Sequence, residues 1–154
     1  MFKQSSGLAT DMKTGNTKQC RENWRYREET EALVTRVVDA CFRVHSELGA
    51  GLLESAYSAC LQEELRLRGM QFRTEQSVPL VYRERQIDVG FRVDLLIEDR
   101  VVIELKAVEK ILPIHKAQLI TYLKILGHPL GLLVNFNEVL IKDGIHRVFN
   151  PRLA

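Results

Sequence analysis

The chain has 154 residues, 45% of them hydrophobic and 27% charged. That length and balance suit one globular domain of common size with a proper core. No apolar run approaches the roughly 18 residues needed to span a bilayer. Met1 to Cys20 hold no apolar segment of signal-peptide type, so a cytoplasmic protein is the expectation, with no membrane partner. The three cysteines, Cys20, Cys41 and Cys60, are odd in number and widely spaced. They argue against a disulfide framework, a cysteine zinc site and a four-thiolate iron–sulfur cluster.

Net charge is +2, but its distribution matters more than its sum. Residues 1–28 carry six Lys/Arg against three Asp/Glu, a net of +3, and the remaining 126 carry 16 basic against 17 acidic side chains, a net of −1. Any contact with nucleic acid therefore has to come from a local patch or from the basic tail.

In chain order, residues 1–28 show no periodicity and little to bury, and read as a disordered basic tail. Trp24 and Tyr26 are its aromatic exceptions. From Glu28 the pattern is helical: Leu33, Val34, Val37, Val38, Cys41, Phe42 and Val44 recur at three- and four-residue spacing. Gly49-Ala50-Gly51 breaks that helix near Leu48. A second runs from about Leu52 to Arg68, with Leu53, Ala56, Tyr57, Cys60, Leu61 and Leu65 on its buried side and Gly69 as its left-handed stop.

The middle of the chain is β. Phe72 to Tyr82 contains Pro79, which points to an edge strand or a bulge. Arg83-Glu84-Arg85 is a turn, and Ile87 to Ile97 and Val101 to Val108 are the next strands, joined through Asp99-Arg100. Pro113 opens a helix that ends at Gly127. Pro129 to Phe136 is a short buried strand, and Val139 to Phe149 reads as a last hairpin around Lys142-Asp143-Gly144. The order α-α-β-β-β-α-β with a C-terminal hairpin predicts an α/β fold: one central mixed sheet flanked by helices, within residues 29–154.

Three ionisable residues interrupt the apolar middle strands: Asp94 in one, Glu104 and Lys106 in the next. Alternation puts Glu104 and Lys106 on one strand face, with Leu105 on the other. Charges in core strands are costly unless paired or metal-bound. On spacing alone, a salt bridge and a metal site explain them equally well.

The spacing Asp94…Glu104-Leu105-Lys106 and the element order resemble the PD-(D/E)XK nuclease superfamily. Gln118 and Tyr122, in a Q-x-x-x-Y spacing on the following helix, are similar to the helix motif of its RecB-like exonucleases. Gly51-Leu52-Leu53-Glu54-Ser55-Ala56-Tyr57 is similar to the signature of the GxxExxY protein family. Val44 to Gly49, Glu104 to Ala107, Ala117-Gln118-Leu119 and Gly131 to Phe136 also look like that family. The resemblance covers about residues 30 to 150. Val93 is a small departure, at a position where a shorter side chain often precedes the aspartate.

The resemblance implies a restriction-endonuclease-like core in which Asp94, Glu104, Lys106, Glu54, Gln118 and Tyr122 form the catalytic set. It implies Mg²⁺ or Mn²⁺ held by Asp94, Glu104, the Leu105 carbonyl and Glu54, with the three carboxylates converging. Lys106 would orient a water or balance phosphate charge. Glu54 also favours a helix dipole, Tyr57 also reads as a packing residue, and His45 and His115 read more simply as structural. The implied function is a metal-dependent nuclease on DNA or RNA. The alternative is a non-catalytic nuclease-fold module acting through a nucleic-acid or protein partner, with a homo-oligomer also open.

Overall fold

The computed structural model of the chain describes the backbone of residues 14–153, and side chains from Arg21 onward apart from Trp24. Two helices come first, α1 (Thr14–Leu48) and α2 (Glu54–Leu67). Five strands follow: β1 (Phe72–Ser77), β2 (Leu80–Tyr82), β3 (Arg85–Ile87), β4 (Arg92–Ile97) and β5 (Val101–Lys106). Then come α3 (Pro113–Leu126), β6 (Leu130–Asn135), the short α4 (Ile141–Gly144) and β7 (Ile145–Phe149). The central sheet has the order β1-β4-β5-β6-β7, and β2-β3 form a separate two-stranded arm. Among the described strands only β5 and β6 run parallel, with α3 as their crossover.

The alternation of β5 assigns its two faces. Val101, Ile103 and Leu105 enter the core under α1 and α2, with Leu33, Val37, Cys41, Tyr57, Leu61 and Leu65. Val102 enters the smaller core under α3, with Leu119, Tyr122 and Leu123. Glu104 and Lys106 continue on the α3 side. Every residue of β6 is buried, as a central strand covered on both faces requires. At Gly131 an added Cβ would stand 3.0 Å from Leu119, so the missing side chain lets α3 lie close on the sheet. Pro113 opens α3 and Gly127 closes it at φ 73, both as expected.

Several expected details differ. Helix α1 begins at Thr14, so residues 14–28 of the expected disordered tail are helical; residues 1–13 and the Trp24 side chain lie outside the described residues. The first buried side chain among those described in α1 is Thr30. The side chains described ahead of it are all exposed, and the sequence there shows no apolar period to read, although extending a nucleated helix costs little. Tyr26 instead stacks under the Arg100 guanidinium at 4.9 Å, and Glu29 pairs with Arg100 at 2.6 Å.

Helix α2 starts two residues late, at Glu54, and Leu53, expected in the core, is 77% exposed. Phe42 is exposed too, outside the stripe that meets the sheet. The expected strand through Pro79 divides into β1 and β2 there, and the next strand of the main sheet begins only at Arg92. The β4–β5 turn centres on Glu98 and Asp99, both at positive φ, one residue before the expected pair. The C-terminal hairpin around residues 142–144 does not form. Those residues make α4, and β7 pairs antiparallel with β6.

Candidate active site

The β4–β5 ladder runs from Ile97↔Val101 through Leu95↔Ile103 and stops. Continued, it would place Asp94 opposite Glu104. There the two acids take over the backbone's hydrogen bonds. Asp94 Oδ2 accepts the Leu105 N–H at 2.7 Å, and Glu104 Oε1 accepts the Asp94 N–H at 3.2 Å. On its other edge β5 stays paired to β6 as far as Lys106↔Asn135, and the Lys106 carbonyl accepts the Phe136 N–H at 2.9 Å. Successive carbonyls alternate along a strand, so the Leu105 carbonyl faces the opened gap beside β4.

Both acids are held in low dielectric. Glu104 is 6% exposed, and its carboxyl is pushed up to about 8 by burial, then by the charges of Asp94 and Glu54, against the opposing pull of the Asp94 N–H and Lys106. Burial also raises the Asp94 carboxyl, with the Leu105 N–H and Lys106 holding it down and Glu75 pushing it up. Glu54 is the first residue of α2, at the exposed mouth of the gap. Partial burial and then the Asp94 charge lift its carboxyl, and Lys106 lowers it. Residues from the α2 and α3 sides of the sheet thus act on one another at its open end.

Helix α3 supplies the fourth side. The Gln118 amide donates to the Tyr122 hydroxyl at 2.8 Å, and Tyr122 is buried. Burial raises the phenol, and the charges of Glu104 and Asp94 raise it further, which puts the hydroxyl within their field. Having accepted from Gln118, that hydroxyl keeps its own proton to donate.

All six residues of the expected catalytic set therefore lie around the gap. The carboxylates do not converge as a closed triad: among the described residues no three His, Cys, Asp or Glu side chains are spaced to hold a metal ion. Asp94 Oδ2 and Glu104 Oε1 each face a backbone amide instead. The donor chemistry still fits a hard divalent cation: acid oxygens that raise one another's proton affinity, with a carbonyl facing the same gap.

Other candidates are structural. The Tyr57 hydroxyl donates to the Gly49 carbonyl at 2.6 Å and accepts the Leu52 N–H at 3.1 Å, holding the glycine-rich turn ahead of Glu54. Its ring stacks on Phe136 at 4.7 Å. His45 Nε2 meets the Glu138 carbonyl at 2.8 Å, and His115 Nδ1 accepts the Leu112 N–H at 3.0 Å, capping α3.

Three residues near the site carry no role in the sequence reading. Asn135 is fully buried; its amide accepts from Val108 N and donates to Val108 O, pinning the chain just after Lys106. A single polar residue ending an all-apolar strand was its signal. Glu75 sits in β1 across from Asp94 of β4, between the pairs Thr74↔Leu95 and Gln76↔Val93, and the Phe91 ring is 6.1 Å from that of Tyr122. Neither stands out in sequence, because both occupy polar, irregular surroundings.

The model of the PD-(D/E)XK nuclease superfamily matches residues 31–148. The chain belongs to that superfamily, and its mixed five-stranded sheet with flanking helices is consistent with the fold. No curated protein and no solved structure matches the chain. No helix among the described residues is long and apolar enough to cross a membrane.

Proposed function

We propose that the chain is a divalent-metal-dependent nuclease that hydrolyses phosphodiester bonds of DNA or RNA. The observation that carries this reading is the acid pair Asp94 and Glu104, lodged with Lys106 where the β4–β5 ladder opens, with Glu104 pushed up to about 8. The segment Gly51 to Tyr57 supports membership of the GxxExxY family, and the Gln118–Tyr122 pair supports the RecB-like branch.

Asp94, Glu104, Glu54 and the Leu105 carbonyl are the residues that would hold Mg²⁺ or Mn²⁺. A bound cation would polarise the phosphate and acidify its own water. The chain's own groups do the rest. Lys106, on the strand face of Glu104, balances phosphate charge and orients a water. The Tyr122 hydroxyl, held by Gln118, donates to a phosphate oxygen at the α3 wall. Burial of Glu104 keeps the pair in a medium where these charges act strongly.

The test is cleavage of a panel of single- and double-stranded DNA and RNA with Mg²⁺ or Mn²⁺. Wild type cuts at least one substrate, and Asp94→Ala and Lys106→Ala cut none. If wild type cleaves nothing and calorimetry shows no Mn²⁺ binding, the catalytic reading is wrong. The net charge of −1 over residues 29–154 favours the second reading, a non-catalytic binding module. In that case nucleic acid binds without turnover, and Asp94→Ala leaves the affinity unchanged.

A further inference from the structure

The β2–β3 arm leaves the main sheet between β1 and β4, and its root is the pair Ser77↔Arg92. Asp94 lies two residues along β4 from that root, about 7 Å at strand rise. The arm therefore stands at the same end of the sheet as the acids. Its register pairs Leu80 with Ile87 and Tyr82 with Arg85, so these four share one face. Leu80 and Ile87 are half-buried toward the root, while Tyr82 is 64% exposed near the tip. The Arg83 guanidinium lies over the Tyr82 ring at 5.6 Å.

The return from the arm carries a second aromatic. Gly90, at φ 69, turns the chain, and the Phe91 carbonyl accepts the Val78 N–H at 2.7 Å. Phe91 is thereby held 42% exposed, with its ring beside that of Tyr122. A cavity of about 360 Å³ lies between the arm and this return, lined by Val78, Pro79, Ile87, Val89 and Phe91. Phe91 thus borders the candidate active site through Tyr122, and Tyr82 stands at the exposed tip of the adjoining arm. Arg83 and Arg85 flank the tip beside Glu84, and Arg92 at the root pairs with Glu75 at 3.5 Å.

We propose that Phe91 and the Tyr82–Arg83 tip of the β2–β3 arm form a stacking platform for unpaired bases, so that the site takes single-stranded nucleic acid. This rests on the nuclease reading for the site that the strand enters. Paired bases hide their faces inside the helix, and only an unstacked base offers one to Phe91. The charge distribution agrees. With residues 29–154 at a net −1, duplex affinity built on phosphate neutralisation has little to draw on, whereas stacking needs no excess of cations.

The experiment is fluorescence anisotropy of the full chain in EDTA, which prevents cutting. The probes are a labelled mixed-sequence DNA oligonucleotide, its RNA counterpart and the DNA duplex. The expected result is tighter binding of one or both single strands than of the duplex. Phe91→Ala and Tyr82→Ala each weaken it about 5- to 100-fold, and Phe91→Tyr, which keeps the ring, restores it. With Arg83, Arg85 and Arg92 as the phosphate contacts, log K falls against log salt with a slope of about −2. Circular dichroism checks that each variant is folded; if Phe91→Ala is not, Tyr82→Ala at the exposed tip decides. Duplex binding as tight as single-strand binding, unchanged affinity in folded variants, or no binding at all overturns the proposal. The nuclease reading is judged separately: duplex cleavage with no role for Phe91 defeats only the platform. Single-strand binding without metal uptake or cleavage defeats only the catalytic reading.

Discussion

Replacing Glu104 with glutamine tests whether the site is held in electrostatic tension. The carboxyl is raised from 4.5 to about 8, first by burial and then by Asp94. Between those values the folded protein keeps a proton that the unfolded chain has released. Stability contributed by this group is therefore present at low pH and lost as pH rises through that window. At about 1.4 kcal/mol per unit, the full difference is about 5 kcal/mol. Glutamine keeps an oxygen to accept the Asp94 N–H and carries no charge, so Glu104→Gln removes the penalty. Exchanging buried charges for neutral groups gains about 1–4 kcal/mol, or roughly 2–16 °C in Tm for a chain of this size. The assay is thermal unfolding without divalent ions from pH 5 to pH 9. Wild-type Tm falls across the range, and the variant falls less and is the more stable of the two at pH 9. A wild-type Tm that holds flat or rises, or a variant no more stable at pH 9, would refute the claim that Glu104 lies buried against like charge.

Two further substitutions address supporting residues. Asn135→Ala leaves the Val108 N–H and carbonyl without their partner and costs about 2–4 kcal/mol, read as a lower midpoint in urea unfolding. Tyr57→Phe removes the hydroxyl joining Gly49 to Leu52 but keeps the stack on Phe136, costing about 1–2 kcal/mol in the same assay with cleavage of a short oligonucleotide retained.

The site was legible where its residues broke a strong local pattern. Asp94, Glu104 and Lys106 stand out because their neighbours along β4 and β5 are Val, Leu and Ile with buried side chains. Gln118 and Tyr122 stand one helical turn apart, and the structure joins them by a hydrogen bond. Pro113, Gly127 and Gly69 marked helix ends because each needs a special backbone. What escaped notice had no pattern to break. The first half of α1 is mostly polar, with Cys20, Trp24 and Tyr26 too few to set a sustained burial period. The β2–β3 arm is too short and exposed to show alternation, and Pro79 read as a bulge although the strand ends there. The last hairpin was misplaced because Lys142-Asp143-Gly144 suits a turn, yet it sits in α4 with β6 already available to pair with β7. Phe91 reaches the site only through tertiary proximity to Tyr122.

The opened ladder ties the fold to the chemistry. A central strand that loses its neighbour exposes backbone amides, which need an acceptor when buried. Here that acceptor is Asp94 Oδ2 on the Leu105 N–H, and the same carboxylate's charge raises the Glu104 carboxyl more than any other. Asp94 therefore closes the sheet's end as well as charging it. Asp94→Ala mixes two losses: an unpaired amide costing about 1–3 kcal/mol and a missing charge. Asp94→Asn separates them, because its amide oxygen still accepts from Leu105 while the charge is gone. If cleavage falls equally in both variants and only Ala unfolds early, the acid's role at the site is its charge. If the asparagine variant keeps full activity, Asp94 serves the backbone alone.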